Sequence, residues 1–203
     1  MRLFHLFISL IATCVNAEVI RLIDTGSPPE HLRTGSIVYR DQSIAVQFGV
    51  LQACVFSNAA INLRTSTIRT PFTKITMRIC PDLDGQPPVV DQLESECLDS
   101  KTHFASRFPF FRLEYPIPID KRILLPQGSY WFVVQGNARR ESIAFTWLDS
   151  ENGTAVTAFT QAETSSWVVE SELKPGAASV SVFCETPDDD AIRSLGSLTL
   201  QND

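Results

Sequence analysis

Short segments in which apolar and polar residues alternate run through the sequence, and this pattern limits the fold more than any other feature. In the clearest segment, Thr73 to Cys80, the side chains of Ile75, Met77 and Ile79 would face one way and polar side chains the other. Alternation with a period of two is typical of a β-strand with one buried face. No stretch shows a sustained helical period. We therefore expect an all-β protein.

Turn-forming residues separate the alternating segments, and counting the segments gives eight or nine short strands. Residues 129–135 (SYWFVVQ) are apolar on both faces, which predicts a central strand. Asn152-Gly153 predicts a hairpin between the segment around Trp147 and the segment 155–159. No internal repeat indicates a propeller or solenoid. The expected fold is a two-sheet antiparallel sandwich, jelly-roll-like in topology.

The composition excludes some partners. A length of 203 residues with 44% hydrophobic and 20% charged residues suits one globular domain. The formal net charge of −6 provides no electrostatic attraction to nucleic acid. We expect no nucleic-acid partner.

The N-terminal residues 1–17 have the features of a secretory signal peptide. Arg2 precedes an apolar run that is too short to span a bilayer, and Val15-Asn16-Ala17 forms an acceptable cleavage site. We expect a lead-in and first strand over 18–43, the sandwich domain over 44–184 and an acidic disordered tail over 185–203. The predicted location is secreted, extracellular or periplasmic, with no membrane insertion after cleavage.

Four of the five cysteines follow the predicted cleavage site, and an even number in an exported chain indicates two disulfides. Three pairings are possible. We favour Cys80–Cys97, which closes a short polar loop, with Cys54–Cys184, which would tie an early strand to the last one. A zinc site is the alternative, but the chain has no Cys-x2-Cys spacing.

The order of several motifs resembles a known family. The strand 75–80 (ITMRIC) runs into the turn 82–87 (DLDGQP), followed later by 125–134 (LPQGSYWFVV) and by Phe145-Thr-Trp147. This succession, over roughly residues 44–184, resembles the extracellular β-sandwich domains called choice-of-anchor domains, in particular the R type, found on exported microbial proteins. The resemblance implies an extracellular sandwich and no catalytic residues. The tail lacks the anchoring segment that such proteins usually carry.

The aromatic residues are the first candidates for ligand binding. Tyr130 and Trp131 lie on opposite faces of one predicted strand, so one of the two is the best candidate for an exposed ring that would serve as a platform for a sugar. Arg139 and Arg140 follow that strand and would add polar contacts. For any one of the aromatic rings, packing in the core is the interpretation that the sequence favours.

Three acidic or polar motifs have competing interpretations. Asp82 and Asp84 would offer two carboxylates to Ca²⁺, but Asp82 and Gly85 also occupy the positions that a type I turn prefers. Glu94, Glu96 and Asp99 would be paired acids of the glycosidase kind only if a cleft fixed their separation, and we interpret them as a solvated loop. A third motif, Asn152-Gly-Thr154, is an N-glycosylation sequence.

The sequence contains no recognisable catalytic motif, and no cofactor is expected apart from the calcium alternative. The leading hypothesis is a secreted, disulfide-stabilised, non-catalytic binding module with carbohydrate as its ligand. One alternative is a structural or adhesive protein of the extracellular space or envelope that binds protein partners. A second alternative is a hydrolase whose active-site residues are dispersed along the chain.

Overall fold

The structure is a computed structural model that describes residues 18–30, 34–40, 42–65, 73–104, 110–117, 121–138, 144–160 and 166–187. These residues form two antiparallel β-sheets packed as a sandwich, which confirms the predicted fold class. They contain thirteen strands, numbered β1 to β13 along the chain, more than the eight or nine expected. The predicted signal peptide, Arg139 and Arg140 lie outside the described residues. So does the tail from residue 188.

The first sheet is built around β4, a strand of twelve residues. On one side β4 pairs with β13 and β10, which in turn pair with β1 and β2, and on the other side it pairs with β7 and β8. The strands of this sheet are β1 (Val19–Asp24), β2 (Gly35–Val38), β4 (Cys54–Thr65), β7 (Phe110–Pro116), β8 (Ile123–Leu125), β10 (Phe145–Leu148) and β13 (Val180–Glu185).

The second sheet has the strand order β12-β11-β3-β9-β5-β6. The strand with two apolar faces, β9, is central as predicted, between β3 and β5. The strands of this sheet are β3 (Ile44–Val50), β5 (Lys74–Pro81), β6 (Asp99–Phe104), β9 (Gly128–Gly136), β11 (Thr154–Thr160) and β12 (Trp167–Pro175). A short α-helix, α1 (Leu93–Glu96), lies between β5 and β6.

The main core lies between the two sheets, and the alternating residues predicted to face inward do so. Ile75, Met77 and Ile79 of β5 are fully buried there, and Phe132 of β9 meets Trp147 of β10 edge to face at a ring distance of 6.2 Å. Burial of large apolar side chains from both sheets is the main contribution to the stability of such a sandwich.

The predicted hairpin at Asn152-Gly153 is wrong. β10 pairs with β2 and β4 in the first sheet, whereas β11 pairs with β3 and β12 in the second. The Asn-Gly sequence indicates a sharp turn but not which strands pair. Here the turn carries the chain from one sheet to the other, so that Trp147 and Ala155 face the same core from opposite sides.

The lead-in predicted over residues 18–43 contributes two strands to the first sheet. β1 pairs with β13 and β2 pairs with β10, so this region extends the sheet instead of preceding it. Sequence patterning predicted one strand in this region and missed the other, because each is short and only partly buried.

Both predicted disulfides are confirmed. Cys54–Cys184 joins the neighbouring strands β4 and β13, with Cα atoms 5.8 Å apart. Cys80–Cys97 joins the end of β5 to the residue after α1, with Cα atoms 4.1 Å apart. None of the helices in the described part of the chain is long and apolar enough to cross a membrane.

Candidate functional site

The aromatic pair expected to form a binding platform is buried on both sides of β9. Trp131 has no exposed surface and Tyr130 only 7%. The Tyr130 ring faces the main core beside Phe48, and its hydroxyl donates a hydrogen bond to the Pro126 carbonyl over 2.9 Å. Core packing, which the sequence favoured for each ring, is therefore confirmed for both, and neither forms the exposed platform for which they were the best candidates.

The Trp131 ring is buried because residues 82–97, which we name the cap, lie across the outer face of the second sheet. Leu93 of the cap packs with Trp131, Trp167, Val133 and Ala158 in a second apolar cluster. The cap thus gives this sheet a covered face on each side, which explains why β9 is apolar on both faces.

Polar contacts and a disulfide hold the cap in place. Asp82 Oδ1 accepts hydrogen bonds from the indole N–H of Trp131 and from Gln47 Nε2, the latter over 3.1 Å. Asp82 Oδ2 accepts a hydrogen bond from the Gly85 N–H over 3.0 Å. The Trp167 indole N–H donates to the Pro88 carbonyl over 2.7 Å. Cys80–Cys97 closes the base of the cap.

These contacts favour the turn interpretation of Asp82 and Asp84 over calcium binding. Both oxygens of Asp82 already accept hydrogen bonds from the protein. Asp84 and Gly85, with φ of 55° and 83°, are the central residues of a two-residue turn between Leu83 and Gln86. This turn is of type I′ and lies one residue later than predicted. Within the described residues no group of three or more His, Cys, Asp or Glu could hold a metal ion.

Asp99, interpreted from the sequence as part of a solvated loop, is buried. It lies in β6, and its side chain is only 7% exposed. Its carboxylate accepts hydrogen bonds from the Tyr115 hydroxyl, over 2.6 Å, and from Lys121 Nζ. Burial and the bond to Asp99 raise the pKa of Tyr115 far above its ordinary value. The contact between Asp99 and Tyr115 links the two sheets. Glu94 and Glu96 are exposed, as expected for a solvated loop.

The outer face of the first sheet is only partly covered by the residues that the structure describes, in contrast to that of the second. Strand register brings polar residues of β4 and β7 side by side, with Asn62 opposite Arg112 and Arg64 opposite Phe110. The Phe110 ring is 40% exposed. This face therefore presents an aromatic ring, a guanidinium group and an amide close together.

A groove, which we name the outer groove, crosses this face between β7 and residues 24–30. It consists of one cavity of about 300 Å³ and an adjoining one of about 160 Å³, and both are lined by Asn62 and Arg112. Residues 24–30 form its wall. They are held by hydrogen bonds from Ser179 Oγ to the Gly26 carbonyl, over 2.6 Å, and from Glu151 N to the Ser27 carbonyl, over 3.1 Å.

The polar side chains of the outer groove are held in place by neighbours. Asn62 Nδ2 donates to Ser179 Oγ over 2.6 Å, and an Arg112 N–H donates to Ser181 Oγ over 3.2 Å. On the same sheet, the buried carbonyl oxygen of the Asn58 side chain has no hydrogen-bond partner among the described residues. Fixed polar groups beside an exposed ring are typical of small-molecule sites.

Sequence reasoning did not find the outer groove. The alternation in β7 does place Arg112 and Glu114 on its wet face, and that in β4 places Asn62 and Arg64 on its wet face. The pairing of the two strands, which lie far apart in the chain, was needed to bring those faces together.

Two further site predictions concern Asn152, as a glycosylation site, and Arg139 with Arg140, as binding residues. Asn152 is exposed on the loop between β10 and β11, so the predicted glycosylation position is accessible. Arg139 and Arg140, predicted to contribute to binding, lie outside the described residues.

No model of a known protein family matches the sequence, and a search of curated proteins finds no significant match. The resemblance to choice-of-anchor domains therefore stays a prediction.

Proposed function

We propose that this protein is a secreted, non-catalytic binding module and that it binds carbohydrate in the outer groove. The observation that carries the proposal is the partly exposed Phe110 beside Asn62 and Arg112 in the outer groove. The sequence had predicted Tyr130 and Trp131 as the binding residues, but both of those rings are buried. The outer groove is therefore the proposed site instead.

The chemistry of the groove suits a sugar. A flat aromatic ring packs against the apolar C–H face of a pyranose, and amide and guanidinium groups form hydrogen bonds with its hydroxyls. A volume of about 300 Å³ falls at the small end of ligand sites, which suits one or two sugar units. Because Ser179 and Ser181 already hold the Asn62 and Arg112 side chains, binding would cost little side-chain entropy.

The extracellular location is supported by two observations. Two disulfides are compatible with an oxidising compartment. The signal-peptide pattern of residues 1–17 points to the same route.

The test is a glycan array with the mature chain, followed by calorimetry with the best glycan. Phe110→Ala and Asn62→Ala should each weaken binding about tenfold or more, because each removes a direct contact. Phe104→Ala is the matched control: Phe104 is also an exposed phenylalanine, but it lies on β6 of the other sheet.

Two outcomes contradict the carbohydrate proposal. One is an array without any binding. The other is glycan binding that Phe110→Ala and Phe104→Ala reduce equally. If the array is blank and Phe110→Ala instead abolishes capture of a specific extracellular protein, the adhesive alternative becomes the better description.

A further inference from the structure

The two cavities of the outer groove have different linings but share Asn62 and Arg112. The larger cavity, of about 300 Å³, is lined by Phe110 and further apolar side chains. The smaller cavity, of about 160 Å³, is lined mainly by polar residues, among them Ser27 and Ser181. A ligand that fills both cavities therefore meets an aromatic ring in one and hydrogen-bonding groups in the other.

Arg112 is the one basic residue among the described residues that line either cavity. A guanidinium group has five N–H donors. Nη2 of Arg112 donates a hydrogen bond to Ser181 Oγ over 3.2 Å, and Nε lies 3.9 Å from a carboxylate oxygen of Glu114. The remaining donors have no partner among the described residues. Ser181 therefore orients the Arg112 side chain and leaves donors available for a ligand.

The two acidic residues in the lining do not cancel this positive charge. Asp24 Oδ2 lies 3.1 Å from Nη1 of Arg21, and Asp24 Oδ1 accepts a hydrogen bond from the Gly26 N–H over 3.0 Å. Both carboxylate oxygens of Asp24 thus have partners. Glu30 lines only the larger cavity and is exposed, so water and salt screen its charge. The smaller cavity therefore favours an anionic group.

The spacing of residues in β7 suits one class of anionic sugar. Phe110 and Arg112 are both exposed and lie two residues apart, so they share a face of the strand with Cα atoms about 6–7 Å apart. In a uronic acid the carboxylate is bonded directly to a carbon of the pyranose ring. A pyranose packed on Phe110 would have this carboxylate within reach of the Arg112 guanidinium group, whose planar donors match a carboxylate in a two-point contact.

We propose that the outer groove is selective for sugars that carry a carboxylate, the uronic acids, and that Arg112 recognises this carboxylate. The inference rests on the proposed function and names its ligand class. The formal net charge of the chain is −6, so the protein as a whole repels anions. Selectivity for an acidic sugar therefore comes from the local contact with Arg112 and not from a general attraction.

The test is calorimetry of the mature chain in about 150 mM salt, with trigalacturonate and with a hyaluronan tetrasaccharide, which contains glucuronate. Each acid is compared with its own methyl ester, which has the same sugar skeleton and no charge. At least one acid should bind about tenfold or more tightly than its ester, because hydrogen bonds between charged groups are stronger than those to a neutral group.

Two variants separate recognition of the carboxylate from recognition of the sugar ring. Arg112→Gln should lower the affinity for the acid about tenfold or more and the affinity for the ester much less, so that the preference is lost. Phe110→Ala should lower both affinities by a similar factor, because the two probes have the same rings. Lys74→Gln is the matched control, since it also removes an exposed positive charge but lies on β5 of the second sheet. It should change neither affinity.

Circular dichroism shows whether each variant is folded. If Arg112→Gln does not fold, Arg112→Lys decides, because it keeps the charge but loses the two-point contact and should lower the preference for the acid.

The outcomes distinguish failure of this inference from failure of the carbohydrate proposal. Equal binding of both acids and their esters overturns the selectivity for uronic acids, and so does a preference that persists in Arg112→Gln. So does the absence of binding by both acids at millimolar concentration. In each of these cases, array binding of neutral glycans that Phe110→Ala weakens would still support a carbohydrate site. A blank array together with no binding of either acid overturns both proposals.

Discussion

The outer faces of the two sheets are built differently. On the second sheet the cap covers Trp131 and Trp167, and a disulfide and several hydrogen bonds fix the cap in position. On the first sheet Phe110 and Arg112 remain accessible beside a groove. The tryptophans, which looked most suited to binding, therefore serve packing, whereas a phenylalanine and two polar residues form the accessible site.

This difference shows that the kind of residue on a strand does not by itself indicate whether its side chain is accessible to a ligand. An aromatic residue contributes to stability when another segment covers it, and to recognition when it stays in contact with water. The following predictions test the contrast between the covered and the open face, and they begin with the largest effect.

Replacing Trp131 on the covered face should be the most damaging change. Trp131→Ala removes a fully buried ring and the N–H that Asp82 accepts, so the free energy of unfolding should fall by about 3–5 kcal/mol. Urea denaturation measures the change. Phe110→Ala on the open face should cost less than about 1 kcal/mol. Equal losses in the two variants would remove the distinction between the faces.

Opening the disulfide at the base of the cap should have the next largest effect. The double variant Cys80→Ser, Cys97→Ser should lose about 3 kcal/mol, because the bridge closes a short loop with a sequence separation of 17. Acrylamide should then quench tryptophan fluorescence more strongly as the cap loosens over Trp131 and Trp167. Unchanged quenching together with unchanged stability would show that the bridge does not hold the cap.

The carboxylate of Asp82 should contribute less than the disulfide. Asp82→Asn replaces one acceptor oxygen by an NH₂ group, so one of its three donors loses its partner, at a cost of about 1–3 kcal/mol. Asp84→Asn is the matched control, because Asp84 is exposed and asparagine readily adopts its left-handed backbone conformation. If both variants unfold at the same urea concentration, the hydrogen bonds of Asp82 do not stabilise the cap.

The smallest effect should be a pH dependence at His103, which lies opposite Ile75 at the edge of the second sheet. Burial, and then the charge of Lys101, lower the pKa of His103 below its ordinary value of 6.5. The folded state therefore resists protonation, and this contribution to stability is lost as the pH falls from 6.5 towards the lowered pKa. His103→Gln should flatten the fall in unfolding free energy over this interval. An identical pH profile in the variant would contradict the assignment.

The sequence predicted the fold class, the inward-facing residues of the long strands and both disulfides. These features depend on local alternation and on the even number of cysteines that follow the predicted signal peptide. It did not predict the cap, because nothing local to Trp131 indicates that residues 82–97 return over it. Nor did it predict the burial of Asp99, whose partner Tyr115 lies on the other sheet. Alternation with a period of two depends on residues that are close in the sequence, so it does not predict contacts between segments that are distant in the sequence.

The pairing of β4 has a consequence for how the chain is made. Cys54 is synthesised 130 residues before its partner Cys184, and β13 completes one side of β4 only after nearly the whole chain has emerged. Until then the Cys54 thiol and one edge of β4 remain open, while Cys80 and Cys97 are already present nearby in the sequence. An oxidising compartment that acts during synthesis would favour closure of Cys80–Cys97 first, because theirs is the shortest loop, and would leave Cys54 unpaired until Cys184 has been made. In such a compartment the bridge between β4 and β13 would be the later of the two to form.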